Sequence, residues 1–145
     1  MHDLPRQLAV HELAELFEGR TTLVERLAEH ENPLDSANEV IAGLSEADKL
    51  EALNAHPAIG AHKLSARSAA EQGSEDEPET LAELDRLNRA YEQRFGFRFV
   101  VFVNRRPKSE IIPILRERLG RAREEELDTA LHELVAIARD RWEHS

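Results

Sequence analysis

The chain contains no cysteine, which removes disulfide frameworks, thiolate nucleophiles and sulfur-built zinc sites together. That absence fits a reducing, cytoplasmic setting. Positive charge is scarce: 19 Lys and Arg face 29 Asp and Glu, for a formal charge of -10. The long-range field therefore repels phosphate backbones and anionic lipid, and neither a nucleic-acid nor a membrane-surface partner is expected. Long apolar runs are missing too. "FVVFV", Phe99 to Val103, is among the longest, far short of the roughly 20 residues a membrane helix needs. "MHDLPRQLAV" lacks the basic start and apolar block of a secretory signal, and the final "EHS" is not a peroxisomal tripeptide. Neither a Gly-rich phosphate loop nor a Gly-x-Ser-x-Gly elbow is present. The expectation is a soluble, intracellular, acidic protein whose 145 residues suit one compact domain, 1-145.

What is present is helical periodicity. Ala9, Leu13, Leu16 and Phe17 share one face of a first helix that Asp3 and Pro5 could open and Gly19 close. Thr22 with Glu25 reads as a capping box for a second, and Ser36 with Glu39 for a third. Ser45 with Asp48 starts a fourth, which should stop near Ala55, because the residue before Pro57 avoids the right-handed helical region. Ser65 to Gln72 can form a short helix closed by Gly73. Pro78 suits the first turn of the next, whose Leu81, Leu84, Asn88, Tyr91 and Phe95 recur at spacings of three and four. Ser109 to Leu119, with Pro113 near its first turn, and Glu124 to Trp142 complete the set. "FRFVVFV" breaks the pattern. One lone strand cannot make a sheet, so the expectation is an all-α fold of about eight helices with a buried extended segment near 97-103.

Three places could carry chemistry. His56, forced off the helical path by Pro57 and followed by Gly60, sits where loops present side chains into clefts; the plainer reading is a surface residue that ends a helix. Ser68, Glu71 and Gln72 stand at i, i+3 and i+4 and offer a hydroxyl, a carboxylate and a carboxamide on one face, although Ser-x-x-Glu is equally a capping box. Arg141 continues the inward stripe of Leu127, Leu131, Leu134 and Ala138, so it either snorkels to solvent or is a buried guanidinium awaiting a carboxylate. Metal signatures fail. "HELAE" from His11 and "HELVA" from His132 carry Glu15 and Ala136 where a zinc-protease helix has its second histidine. His56 and His62 have no obvious third ligand.

Taken in order, "SEADKLEALNAHPAIG", "SARSAAEQG", "LDRLNRAYEQRFGFRFVVFVNRR", "IIPILRERL" and "ELDTALHELVAIARDRW" resemble the blocks of the OHCU decarboxylases. These are the 2-oxo-4-hydroxy-4-carboxy-5-ureidoimidazoline decarboxylases of the urate-to-allantoin pathway. The resemblance covers about Phe17 to Trp142. It implies an all-α enzyme that uses no cofactor and no metal, forms a homodimer, and takes OHCU as its small-molecule substrate. Urate oxidase and hydroxyisourate hydrolase would be its pathway neighbours. It assigns proton transfer to His56 with Glu71 as partner, and substrate contacts to Pro57, Ser68, Gln72, Arg141 and the backbone of Phe99, Val100, Val101, Phe102 and Val103. Two features depart from the family pattern: "FEGRTTLVERLA" stands where many members carry Ser-Pro-Trp, and the spacer between His56 and Ser68 is short. A paralogue acting on a related ureido acid, a metal-dependent helical hydrolase using His56 and His62, and a non-catalytic acidic interaction module are the other readings open to the residues.

Overall fold

Short polar caps ahead of apolar periods are what cut this chain into helices. The computed structural model describes residues 8-57 and 78-144, and among them the secondary structure is entirely helical, with no strand. Seven helices are described: α1 (Val10–Phe17), α2 (Thr22–Leu27), α3 (Ala37–Ala42), α4 (Glu46–Asn54), α5 (Pro78–Phe95), α6 (Lys108–Leu119) and α7 (Arg123–Glu143). The expected helix over Ser65 to Gln72 lies outside the described residues.

Contacts group the chain into two units. The first comprises residues up to His56 together with those from Leu131 onward. Its core is Leu13, Leu16, Phe17, Leu23, Val24, Leu27, Leu53 and the apolar stripe of α7 from Leu131 to Ala138, all buried. Each such leucine, withdrawn from water, contributes about 1.5–3 kcal/mol before conformational entropy is subtracted. Arg139 ties α7 to the loop before α3, donating to the Leu34 carbonyl at 2.9 Å and pairing with Asp35 at 3.0 Å.

Several helix ends differ from the sequence expectation for identifiable reasons. Asp3 and Pro5 lie outside the described residues; α1 opens at Val10, with the Glu12 carboxylate accepting from the Ala9 amide at 3.1 Å. The cap of α2 is Thr21, whose hydroxyl accepts from Val24, because Glu51 reaches across to accept from the Thr22 amide at 2.8 Å. Ser45 does cap α4, accepting from Asp48 at 3.2 Å. Ser36 precedes α3 without capping it through its side chain. Helix α6 begins at Lys108, one residue before the expected Ser109, which puts Pro113 in its second turn. Along α5, Leu87 is buried and Leu81 only half-buried.

The second unit, Pro57 to Ala130, is organised around aromatic rings. Gly96, at φ +80°, turns the chain sharply after α5, a conformation that glycine adopts without steric cost. Phe95 and Phe97 thereby both reach Tyr91, at ring-centre distances of 4.6 and 5.9 Å, and Phe99 packs on it at 5.2 Å. The segment that follows is buried at Phe99, Val100, Val101 and Val103 yet has neither helix nor strand, as expected.

Candidate active site

Helix α4 ends at Asn54, Ala55 caps it, and His56 leaves the helical path while its amide still donates to the Leu53 carbonyl at 3.2 Å. The side chain does not go to water. His56 is 7% exposed, which overturns the reading of it as a surface residue; Pro57 beside it is half-buried.

Arg141 does not snorkel either. It is 2% exposed, and its guanidinium is met from α1. Nη1 donates to the Leu16 carbonyl at 3.0 Å, and Nη2 stands 3.1 Å from the Glu18 carboxylate. The Leu16 carbonyl belongs to the last turn of α1, where carbonyls lack intrahelical partners and the helix dipole favours a cation.

Glu18 reaches that position through an unusual backbone. Its φ of 65° puts it in the left-handed region, costing about 1–2 kcal/mol for a residue with a side chain. Gly19, expected to close the helix, follows this left-handed residue, and a Cβ built on it would lie 3.4 Å from that of Ala55. The glycine lets the turn after α1 pack closely against the end of α4. One short turn thus carries the partner of Arg141 and abuts the residue that precedes His56.

In the second unit, arginines anchor the apolar segment through its carbonyls. Arg118 donates to the Val100 carbonyl at 2.8 Å, and Arg106 donates to those of Phe102 and Val103 at 2.6 and 2.9 Å. Asn104 and Arg105, at φ 50° and 62°, form the left-handed turn that lets Arg106 fold back. Among the described residues no acceptor faces the amides of Val100, Val101 and Val103. Backbone amides left without an acceptor of the chain's own can be offered to a ligand.

Behind this segment is a buried ionic network that sequence reasoning missed. Glu126, 0% exposed, accepts from Arg118 Nε at 2.7 Å and from the Tyr91 hydroxyl at 2.6 Å, and it faces Arg121 at 3.2 Å. The Arg118 guanidinium lies 4.6 Å from the centre of the Phe99 ring. The signal was available, since Glu126 lies four residues before Ala130 on the buried face of α7.

Burial, then the hydrogen bond to Glu126, pushes the Tyr91 phenol up beyond the ordinary tyrosine range. The folded chain keeps this proton where the unfolded chain, with a pKa of about 10, gives it up. Stability is therefore fully present below pH of about 10 and falls as pH rises above it. Tyr91 is the only tyrosine, so tyrosinate absorbance reads it alone. In an alkaline titration that absorbance should rise together with the loss of helical circular dichroism, and not before it.

Ser68, Glu71, Gln72 and His62 lie outside the described residues. Among those described, no group of three or more His, Asp or Glu side chains is placed to hold a metal ion, and no helix is long and apolar enough to cross a membrane.

The family model described as OHCU decarboxylase matches residues 2–143. The 2-oxo-4-hydroxy-4-carboxy-5-ureidoimidazoline decarboxylase of Haloferax volcanii is 30% identical over 148 residues, covering 89% of this chain and 83% of that protein. A uric acid degradation bifunctional protein of Bacillus sp. (strain TB-90) is 31% identical over 141 residues, and the match spans 89% of this chain but only 28% of that longer protein. A crystal structure of an OHCU decarboxylase in the presence of (S)-allantoin superposes with a TM-score of 0.75 at 23% identity, covering 90% of this chain and 94% of that one, so the fold is shared.

Proposed function

Because the chain belongs to the OHCU decarboxylase family, we propose that it removes carbon dioxide from 2-oxo-4-hydroxy-4-carboxy-5-ureidoimidazoline to give (S)-allantoin. The observation that carries the reading to particular residues is the buried His56, turned out of α4 beside the turn whose Glu18 meets Arg141.

The bond between the ring carbon and its carboxylate breaks. Carbon dioxide leaves, and the electron pair passes into the ring nitrogens and carbonyl. A proton is then delivered to the neighbouring carbon that bears the ureido group, and the hydroxyl on the carbon that lost carbon dioxide gives up its own proton to become the ring carbonyl of allantoin. Because the substrate is its own electron sink, the residues have three tasks. Arg141 orients the carboxylate, with Ser68 as a further donor. The amides of Val100 to Val103, with Gln72, face the charge that develops on the ring, where fixed donors act most strongly. His56 delivers the proton from one face, its tautomer set by Glu71; an unperturbed imidazole, with a pKa of about 6.5, is suited to this near neutrality. Pro57 and the backbone of Phe99 and Phe102 complete the substrate contacts.

The setting in the urate pathway draws support from the bifunctional uric acid degradation relative, of which this chain spans 28%. In this reading urate oxidase and hydroxyisourate hydrolase act upstream, the protein works in the cytoplasm, and it pairs as a homodimer. OHCU generated freshly from urate should decay faster with the protein than without it, equally with or without chelator, and the product should develop the circular dichroism of a single allantoin enantiomer. Decay at the spontaneous rate would refute the activity, and loss of activity with chelator would restore the metal-dependent alternative.

A further inference from the structure

The Arg141 guanidinium already meets a carboxylate of its own chain, that of Glu18 at 3.1 Å. We infer that Glu18 is a positioning residue for Arg141: it fixes the direction of the guanidinium and offsets part of its charge, so that the substrate carboxylate is oriented without being gripped. The inference rests on the reading of Arg141 as the group that meets that carboxylate.

Three observations carry it. Arg141 is buried on α7, and its two terminal nitrogens engage separate groups at the end of α1, the Leu16 carbonyl and the Glu18 carboxylate. A planar guanidinium held at two points has its remaining N–H directions set as well. Glu18 provides its point only by adopting the left-handed conformation, which a residue bearing a Cβ keeps when its surroundings require it. The glycine that could have taken that conformation is instead packed against Ala55, next to His56.

The chemistry gives the second carboxylate a purpose. The carboxylate that leaves loses its negative charge as the carbon–carbon bond breaks. A buried arginine with no counter-charge would therefore bind the ground state more tightly than the transition state, lowering KM and kcat together. Glu18 weakens the grip of Arg141 at the start of the reaction and leaves its geometry unchanged.

Steady-state turnover of OHCU by the full chain tests this, with thermal midpoints measured alongside. Glu18→Gln retains the hydrogen-bond acceptor and removes the charge. It should lower kcat by roughly tenfold and lower KM as well, the signature of a ground state bound too well. Glu18→Gly removes the carboxylate where glycine accepts the backbone readily; it should remain folded with kcat reduced, and Glu18→Asp should recover part of the loss. Arg141→Lys should raise KM, because the ammonium lacks the fork. If Glu18→Gln and Glu18→Gly both keep kcat and KM within about twofold of the unmodified chain, the inference fails while the decarboxylase reading stands. A fall in kcat that only tracks the folded fraction, with KM unchanged, also overturns it. An unmodified chain with no activity on OHCU would remove the proposed function and the role of Glu18 with it.

Discussion

Replacing His56 by asparagine or alanine is expected to reduce turnover of OHCU by about 10²- to 10⁴-fold, the range for a positioned proton donor, while the chain stays folded. The reason is one of position. His56 lies past the end of α4, so its substitution removes no helix-interior residue; the backbone bend is imposed by Pro57, and the amide donates to Leu53 whatever the side chain. Its ring is nevertheless buried at 7% exposure. Asparagine is the sharper test, since it keeps a polar group of moderate size and cannot titrate near neutrality. Helical circular dichroism and thermal midpoint should remain close to those of the unmodified chain. Near-normal rates in either variant would remove His56 from the proton transfer.

How much of this could be read from the sequence depends on how local each interaction is. The departure of His56 from the helix was legible because Pro57 imposes it on the adjacent residue. The cap of α4 was legible because Ser45 and Asp48 are three apart. Arg141 stood out because it interrupts an apolar period, although the period could not say whether its charge was buried. Thr21 in place of Thr22 was not legible, since the deciding group is Glu51, 29 residues away. Glu18 was still less so: the bond from Arg141 to Leu16 spans 125 residues, and nothing in "FEGR" says that the glutamate, not the glycine, takes the left-handed angle. The all-helical fold and the buried segment near 97-103 emerged from patterning alone. The identity of the reaction did not: it came from the ordered resemblance of whole blocks, because periodicity treats residues such as His56 and Arg141 only as interruptions.

Deleting the buried carboxylate of Glu126 should destabilise the chain more than any substitution at His56, Glu18 or Arg141. Glu126→Ala leaves Arg118, itself 4% exposed, without its counter-charge, and leaves the Tyr91 hydroxyl without its acceptor. Breaking one side of such a buried pair costs about 3–5 kcal/mol, against a total of about 5–15 kcal/mol for a typical domain. Denaturant melts should therefore show a large fall in midpoint, with part of the population unfolded in buffer. Much of the effect belongs to the charge left behind rather than to the pair, so Glu126→Leu combined with Arg118→Met should recover part of the stability, the Tyr91 hydroxyl and the Val100 carbonyl still lacking their partners. Activity should not recover with it. The double variant no longer has the Arg118 donor that holds the Val100 carbonyl at 2.8 Å, and the amides that follow lose the anchor that aims them. A stable double variant with full turnover would show that Arg118 serves the fold alone. A stable one with low kcat would place the network behind the pocket wall, acting on catalysis through the backbone it holds.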